Sequence, residues 1–193
     1  PVIEKIKAEF DIPISLDTYK TEVARAGIAA GAEMINDIWG LKYDEEMGRL
    51  IAGEGVSCCL MHNRREQGYA SLINDIACDL KESLSIAEKC GISKDRILLD
   101  PGIGFAKSYE DNLEVLRNLG SFRELGFPLL LGCSRKSVIG LTLNLPVQER
   151  LEGTLVTTVQ AVVCGYAFVR VHDVKENVRA IRMAEQIMQI QAI

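Results

Sequence analysis

The sequence is poor in the residues from which metal centres and disulfide frameworks are built. It contains two histidines, and its six cysteines are scattered so that none belongs to a C-x-x-C pair. A structural zinc site needs four such ligands, usually in closely spaced pairs, so this composition argues against one. We therefore expect reduced thiols, as in a cytoplasm, and no metal ligand within this sequence.

The sequence also lacks a basic run and a long apolar segment. Its 22 lysines and arginines are outnumbered by 27 aspartates and glutamates, and the formal net charge of −5 argues against a nucleic-acid partner. No apolar stretch approaches the ~18 residues that cross a bilayer, so we expect no membrane partner and a cytoplasmic location. Since 48% of the residues are hydrophobic, residues 1–193 can form a single domain with a sizeable core.

What the sequence does contain is a regular alternation of short apolar runs with longer amphipathic stretches. We predict six strands, whose C-terminal ends fall at Asp17, Asn36, Met61, Asp100, Gly132 and His172. These ends are about 31 residues apart on average, and such alternation predicts a parallel sheet covered by helices. Eight such units would make the ~250 residues of a (β/α)8 TIM barrel, but an open doubly wound sheet would alternate in the same way.

Polar side chains stand at or just after the ends of these predicted strands. A single aspartate or asparagine in such a place would be a helix N-cap. Caps lie in loops, however, and do not explain hydrogen-bonding groups at six strand ends. In barrels the carboxyl ends of the strands form the ligand-binding face, so we predict one site. Its candidate residues are Asp17, Asn36, Asp100, Ser134, Arg135, Lys136, Arg170 and His172.

These candidate residues divide by charge along the chain. The early ones, Asp17, Asn36 and Asp100, offer hydrogen-bond acceptors and one amide that also donates. That set suits a planar heterocycle with amino and ring N–H groups. The five later ones form a cationic cluster, which suits an anion such as the phosphate that many barrels bind near their last strands. The pattern therefore indicates a polar ring that carries a phosphorylated arm.

Six segments resemble those of the dihydropteroate synthase family of pterin-binding enzymes, in the same order and at the same spacing. Three are specific: Asp-Pro-Gly-Ile-Gly-Phe, Ser-Arg-Lys and Arg-Val-His-Asp. The six are residues 14–18, 35–38, 60–62, 99–105, 132–137 and 169–173. The resemblance covers essentially the whole chain. It implies a single pterin-binding domain over residues 1–193, an incomplete (β/α)8 barrel with about six of the eight βα units, its C-terminal three-quarters.

The resemblance implies a transferase of folate biosynthesis and a target of sulfonamides. The enzyme would join 6-hydroxymethyl-7,8-dihydropterin diphosphate to 4-aminobenzoate, giving 7,8-dihydropteroate and pyrophosphate. The pterin-binding residues implied are Asp17, Asn36, Ile38, Met61, Asp100, Gly132 and Lys136, of which the catalytic ones are Asp17, Asp100 and Lys136. The other substrate-binding residues implied are Phe105, Ser134 and Arg135 for the aminobenzoate, with Arg170 and His172 for the diphosphate.

The same resemblance implies a cofactor and an assembly. Mg²⁺ accompanies the diphosphate in the family, and its asparagine ligand belongs to an N-terminal strand that this sequence does not contain. The family also forms homodimers. We expect the 193 residues alone to be inactive, because that strand and two loops that cover the substrates are missing.

Two alternative functions remain open from the sequence. A pterin-binding methyltransferase that passes a methyl group to a corrinoid shares the barrel and the early Asp, Asn and Asp positions. It has no diphosphate to hold, so residues 134–136 and 170–173 argue against it. The second alternative is a barrel fragment without catalytic activity.

Several residues near the predicted site are expected to have ordinary roles. We expect Asp37 to orient its neighbours, His62 to be a hydrogen-bonded strand-end histidine and Lys107 to be solvated. We assign no role to Arg64 and Arg65.

Overall fold

The computed structural model describes residues 1–189, in which β-strands alternate with α-helices. The strands are β1 (Ser15–Asp17), β2 (Met34–Asp37), β3 (Ser57–Met61), β4 (Ile97–Asp100), β5 (Leu130–Leu131) and β6 (Phe168–Val169). The helices are α1 (Val2–Glu9), α2 (Thr21–Ala29), α3 (Glu45–Glu54), α4 (Leu72–Cys90), α5 (Tyr109–Arg117), α6 (Ser137–Leu143), α7 (Leu151–Val163) and α8 (Val174–Met188). Short 3₁₀ helices cover Lys94–Arg96, Leu119–Leu125 and Val147–Glu149.

One compact unit, of residues 1–63 and 76–100, is built around a parallel sheet with the strand order β1-β2-β3-β4. β3 and β4 are nearly continuous buried runs, and the side chains of Ile35, Leu60 and Leu99 are fully buried. Continuous apolar runs of this kind are typical of parallel strands that are covered on both faces. The carboxyl ends of all four strands therefore lie along one edge of this sheet.

A second compact unit contains residues 64–75 and 101–189 of the described chain. Here β5 pairs in parallel with β6, and α5 to α8 belong to the same unit. The start of α5 is fixed by a capping box, in which the Ser108 hydroxyl accepts the N–H of Asp111 and the Asp111 carboxylate accepts the N–H of Ser108. This cap ends the loop that follows β4.

The predicted α/β class with six βα units is confirmed. Five of the six strand ends lie within one residue of the prediction. The sixth was predicted at His172, whereas β6 ends at Val169. β6 ends earlier because the last hydrogen bond between β5 and β6 is the one that the Arg170 N–H donates to the Leu131 carbonyl. The His172 N–H donates to the Ser134 hydroxyl and not to a backbone carbonyl of β5.

The single domain predicted for residues 1–193 stays a prediction, since the described residues group into the two compact units.

The helices of the structure were compared with the length and hydropathy of a membrane-spanning helix. Of the helices within residues 1–189, none combines the length and the apolar character that crossing a membrane requires.

Candidate functional site

The sheet of the first unit brings together four of the predicted pterin-binding side chains. Asp17 pairs with Asn36 in the parallel register, and Met61 pairs with Asp100 two residues further along the neighbouring strands. Asn36 in turn pairs with Cys59, which lies two residues before Met61 on β3. Because side chains alternate between the faces of a sheet, residues at the same level or two levels apart point the same way. These four side chains therefore form one row on one face, which we name the acceptor row.

In this row, burial and the negative charges of the carboxylates both raise the pKa of a cysteine thiol. The Asp100 side chain is 5% exposed, whereas Asp17 is exposed. Burial raises the pKa of the Cys59 thiol well above its usual range, and the negative charges of Asp100 and Asp17 raise it further. Cys59 therefore remains a neutral thiol beneath the carboxylates and is not a nucleophile. A row with two carboxylates and an amide can bind a flat ligand rich in N–H groups.

Asp37 lies on the opposite face of this sheet from the acceptor row. Its carboxylate accepts the backbone N–H of Trp39 at 2.9 Å and that of Leu41 at 2.8 Å. Burial raises the pKa of Asp37, and these two hydrogen bonds lower it in part. The expectation that Asp37 orients its neighbours is confirmed. It fixes the turn after β2, the segment that also carries the predicted pterin contact Ile38.

His62, which follows β3, is structural, as expected. Its side chain is fully buried, and its Nε2 lies 3.0 Å from an Asp79 carboxylate oxygen on α4. Its backbone N–H donates to the Asp100 carbonyl at 2.8 Å, which continues the β3–β4 ladder past the end of β3. The His62 backbone N–H therefore fixes the position of the Asp100 carbonyl relative to the end of β3.

The second unit contains a polar cavity at the ends of β5 and β6. Its volume is about 170 Å³, and it is lined by Gly132, Ser134, Lys136, Arg170, Val171 and His172. The Ser134 hydroxyl lies 2.9 Å from the His172 Nδ1 and also accepts the His172 backbone N–H at 3.2 Å. This pair ties the two strand ends together. With a lysine, an arginine, a histidine and a hydroxyl around it, the cavity suits a phosphate-like anion.

Arg135 is the predicted residue of this segment that does not line the cavity. Its Nε donates to an Asp173 carboxylate oxygen at 3.0 Å, and its Nη2 binds the other oxygen of the same carboxylate. This bidentate hydrogen bond lowers the pKa of Asp173 and raises that of Arg135. The Arg135 backbone has a left-handed φ of 57°, held by Thr154, whose hydroxyl accepts its N–H, and by Arg150, which donates to its carbonyl. The predicted contact of Arg135 with aminobenzoate stays a prediction.

The loop of residues 101–107, named here the glycine loop, was only partly anticipated. Lys107 was expected to be solvated, and this was wrong: it is 7% exposed, and its ammonium donates to the carbonyls of Gly102 and Phe105 at 3.0 and 3.1 Å. The physical reason is that positive φ angles at Gly102, Gly104 and Ala106 turn carbonyls inward, where they need a donor. The repeated glycines were the sequence signal for this.

Lys136 and Phe105 meet within the second unit. The Lys136 ammonium lies 4.7 Å from the centre of the Phe105 ring and donates to the Ile103 carbonyl. A cation and an aromatic ring, both predicted to bind substrate, are thus neighbours. Sequence reasoning missed Tyr69, whose hydroxyl donates to the Ala106 carbonyl at 2.9 Å, because 37 residues separate the two.

Comparison with known proteins gives a consistent result at the level of sequence. The profile of the pterin binding enzyme family matches residues 1–172. A dihydropteroate synthase from Clostridium beijerinckii is 55% identical over 189 residues, which are 97% of this chain and 70% of that protein. One from Bacillus subtilis is 48% identical over 188 residues, which are 97% of this chain and 66% of that protein.

Solved structures agree with the sequence comparison. A dihydropteroate synthase from Clostridium difficile, crystallised in the presence of pteroic acid, matches with a TM-score of 0.95 and 47% identity over 97% of this chain and 72% of that one. The Xanthomonas albilineans enzyme with 4-aminobenzoic acid matches with a TM-score of 0.94 and 38% identity, over 99% of this chain and 70% of that one. Both similarities extend over nearly all of the chain.

Proposed function

The chain belongs to the pterin-binding enzyme family, and from this premise we propose that it is the main part of a dihydropteroate synthase. The full-length protein would condense 6-hydroxymethyl-7,8-dihydropterin diphosphate with 4-aminobenzoate to give 7,8-dihydropteroate and pyrophosphate. The observation that carries this proposal is the acceptor row, where Asp17, Asn36 and Asp100 share one face of the sheet. The chain spans 70% of one relative and 66% of the other, so the proposal concerns the full-length protein.

The pterin ring and the diphosphate of the substrate would be bound by different residues, the ring by the acceptor row and the diphosphate by the polar cavity. The pterin ring offers amino and ring N–H groups, which the carboxylates of Asp17 and Asp100 and the amide of Asn36 can accept. The diphosphate is an anion, which suits Arg170 and His172 in the polar cavity. Met61 provides an apolar surface within the acceptor row, next to Asp100.

The reaction breaks the bond between the pterin methylene carbon and the diphosphate oxygen, whose electron pair leaves with pyrophosphate. A bond then forms from the arylamine nitrogen to that carbon, and the nitrogen loses a proton. Positive charge develops on the methylene and the ring, and the carboxylates of Asp17 and Asp100 would stabilise it. Lys136 would contact the pterin, and its ammonium, together with Arg170 and His172 in the same polar cavity, would stabilise the departing anion. A neutral arylamine is already a nucleophile, so it needs positioning rather than a base.

For 4-aminobenzoate the proposed contacts are Phe105, Ser134 and Arg135. The ring of Phe105 can stack on the aromatic substrate, and the Ser134 hydroxyl can donate to its carboxylate. A solved dihydropteroate synthase from Yersinia pestis contains a sulfonamide drug. We accordingly expect a sulfonamide to inhibit this protein by competing with 4-aminobenzoate.

Mg²⁺ is the cofactor that we expect from the family, where it accompanies the diphosphate. Within residues 1–189 no group of three or more histidines, cysteines, aspartates or glutamates is arranged to hold a metal ion. The residues present do not fit a resident metal by themselves, and no step of the proposed reaction is assigned to one.

The proposed assembly of the full-length protein is a cytoplasmic homodimer. In the second unit, large apolar side chains on α6, α7 and α8 are exposed, among them Leu141, Val156 and Ile187. Exposed apolar faces of this kind are typical of subunit interfaces. Sedimentation equilibrium would distinguish a dimer from a monomer.

A substrate test separates the proposed function from its alternative. With dihydropterin diphosphate and 4-aminobenzoate together, the full-length protein should form dihydropteroate and pyrophosphate in equal amounts. A corrinoid methyltransferase would instead accept methyltetrahydrofolate, and the cationic cavity argues against that substrate. Methyl transfer without dihydropteroate formation would refute the proposal. That the 193 residues alone are inactive stays a prediction, checked by the same assay.

A further inference from the structure

The segment of residues 64–71, named here the Arg64 loop, has a defined internal structure although the sequence indicated no role for it. The Arg64 Nη1 donates to the Gly68 carbonyl at 2.9 Å, and the guanidinium lies 4.7 Å from the centre of the Tyr69 ring. Gly68 has a φ of 142°, which favours glycine. The Asp75 carboxylate accepts two backbone N–H groups of the loop, at 2.9 and 3.4 Å. These contacts fix the position of the Tyr69 ring.

The Tyr69 hydroxyl reaches from this loop to the glycine loop. It donates to the Ala106 carbonyl at 2.9 Å. Ala106 has a φ of 47°, a left-handed conformation that is unfavourable for alanine and natural for glycine. Such a conformation persists only where the surrounding structure holds it, and the tyrosine hydroxyl is one of the groups that do so.

What Tyr69 holds is the carbonyl of the peptide between Ala106 and Lys107, one residue beyond Phe105. The Phe105 ring lies 4.7 Å from the Lys136 ammonium, and both residues belong to the proposed substrate site. With the Ala106 carbonyl held in place, a change in the φ of Ala106 would turn the Phe105–Ala106 peptide and move the ring away from that ammonium. We propose that Tyr69 is a positioning residue for 4-aminobenzoate: its hydroxyl holds Ala106 in the left-handed conformation that presents Phe105 to this substrate. The inference rests on the proposed function.

The test is Tyr69→Phe in the full-length protein, which removes the hydroxyl and keeps the ring beside Arg64. The KM for 4-aminobenzoate should rise about three- to tenfold, the loss that one hydrogen bond accounts for. The KM for dihydropterin diphosphate and kcat should change less than twofold, because the acceptor row is untouched. The KM should return to within twofold of that of the Ala106→Gly single variant when Ala106→Gly is added, since glycine needs no support at this φ.

Tyr109→Phe is the matched control, because the Tyr109 hydroxyl also makes one hydrogen bond, to the Thr142 hydroxyl at 3.0 Å. It should leave both KM values unchanged. A Tyr69→Phe variant with an unchanged aminobenzoate KM, or with a rise in both KM values that Ala106→Gly does not reverse, would overturn the positioning role alone. An unmodified protein that forms no dihydropteroate would overturn the proposed function and this inference with it.

Discussion

Replacing Lys136 separates an effect on the reaction from an effect on the fold. Its ammonium makes a hydrogen bond to the Ile103 carbonyl and a cation–π contact with Phe105. Because the Lys136 side chain is only half-buried, both contacts take the low end of their range, and together they are worth about 1–2.5 kcal/mol, which is the expected loss in the free energy of unfolding of Lys136→Ala. Loss of one preorganised group that stabilises transition-state charge costs a factor of about 10²–10³ in kcat, or ~2.7–4 kcal/mol. Turnover should therefore fall by more than stability does.

The assay compares kcat for dihydropteroate formation with the free energy of unfolding in urea, both in the full-length protein. Lys136→Met keeps an unbranched side chain over the Phe105 ring and isolates the loss of charge, so its turnover should fall about as far while its stability changes less. Lys175→Ala removes an exposed lysine of α8 and should alter neither quantity. Losses of equal size in stability and turnover would show that Lys136 is structural, and the reasoning would be wrong.

Two further predictions concern the residues around the predicted site. Lys107→Met should lower the free energy of unfolding by about 2–4 kcal/mol, because two carbonyls that accept from its ammonium lose a donor; a loss below 0.5 kcal/mol in urea titration would contradict this. Arg135 holds the pKa of Asp173 below its ordinary value of 3.8, so the stability from this pair is present above that pH and is lost as pH falls through the lowered pKa. The free energy of unfolding of Asp173→Asn should therefore decline less than that of the unmodified protein when the pH is lowered from 5 to ~2, and an equal decline would contradict the assignment.

The positions of the strands and of the acceptor row could be predicted because both depend on local pattern. An apolar run that ends in a polar residue identifies the end of a parallel strand, and Asp17 and Asp100 are the last residues of β1 and β4. Since parallel strands end along one edge, the sequence also predicts which of these side chains are neighbours. The register adds that Asn36 shares their face and Asp37 does not.

The roles of the long polar side chains could not be predicted in the same way. Lys107 is buried and Arg135 is paired with Asp173, and neither arrangement follows from sequence neighbours. The partners lie up to 38 residues apart, and a flexible side chain reaches whichever acceptor the fold brings near it. Tyr69 is the same case, since its hydroxyl serves a carbonyl 37 residues away.

The most direct test of the central claim is calorimetric titration of the full-length protein with dihydropterin diphosphate. We predict saturable binding that Asp100→Asn weakens about ten- to 150-fold, the loss expected of a hydrogen bond to a buried charge. Asp11→Asn, at an exposed carboxylate outside the acceptor row, should bind like the unmodified protein. Binding that survives Asp100→Asn unchanged would contradict the claim that the acceptor row recognises the pterin.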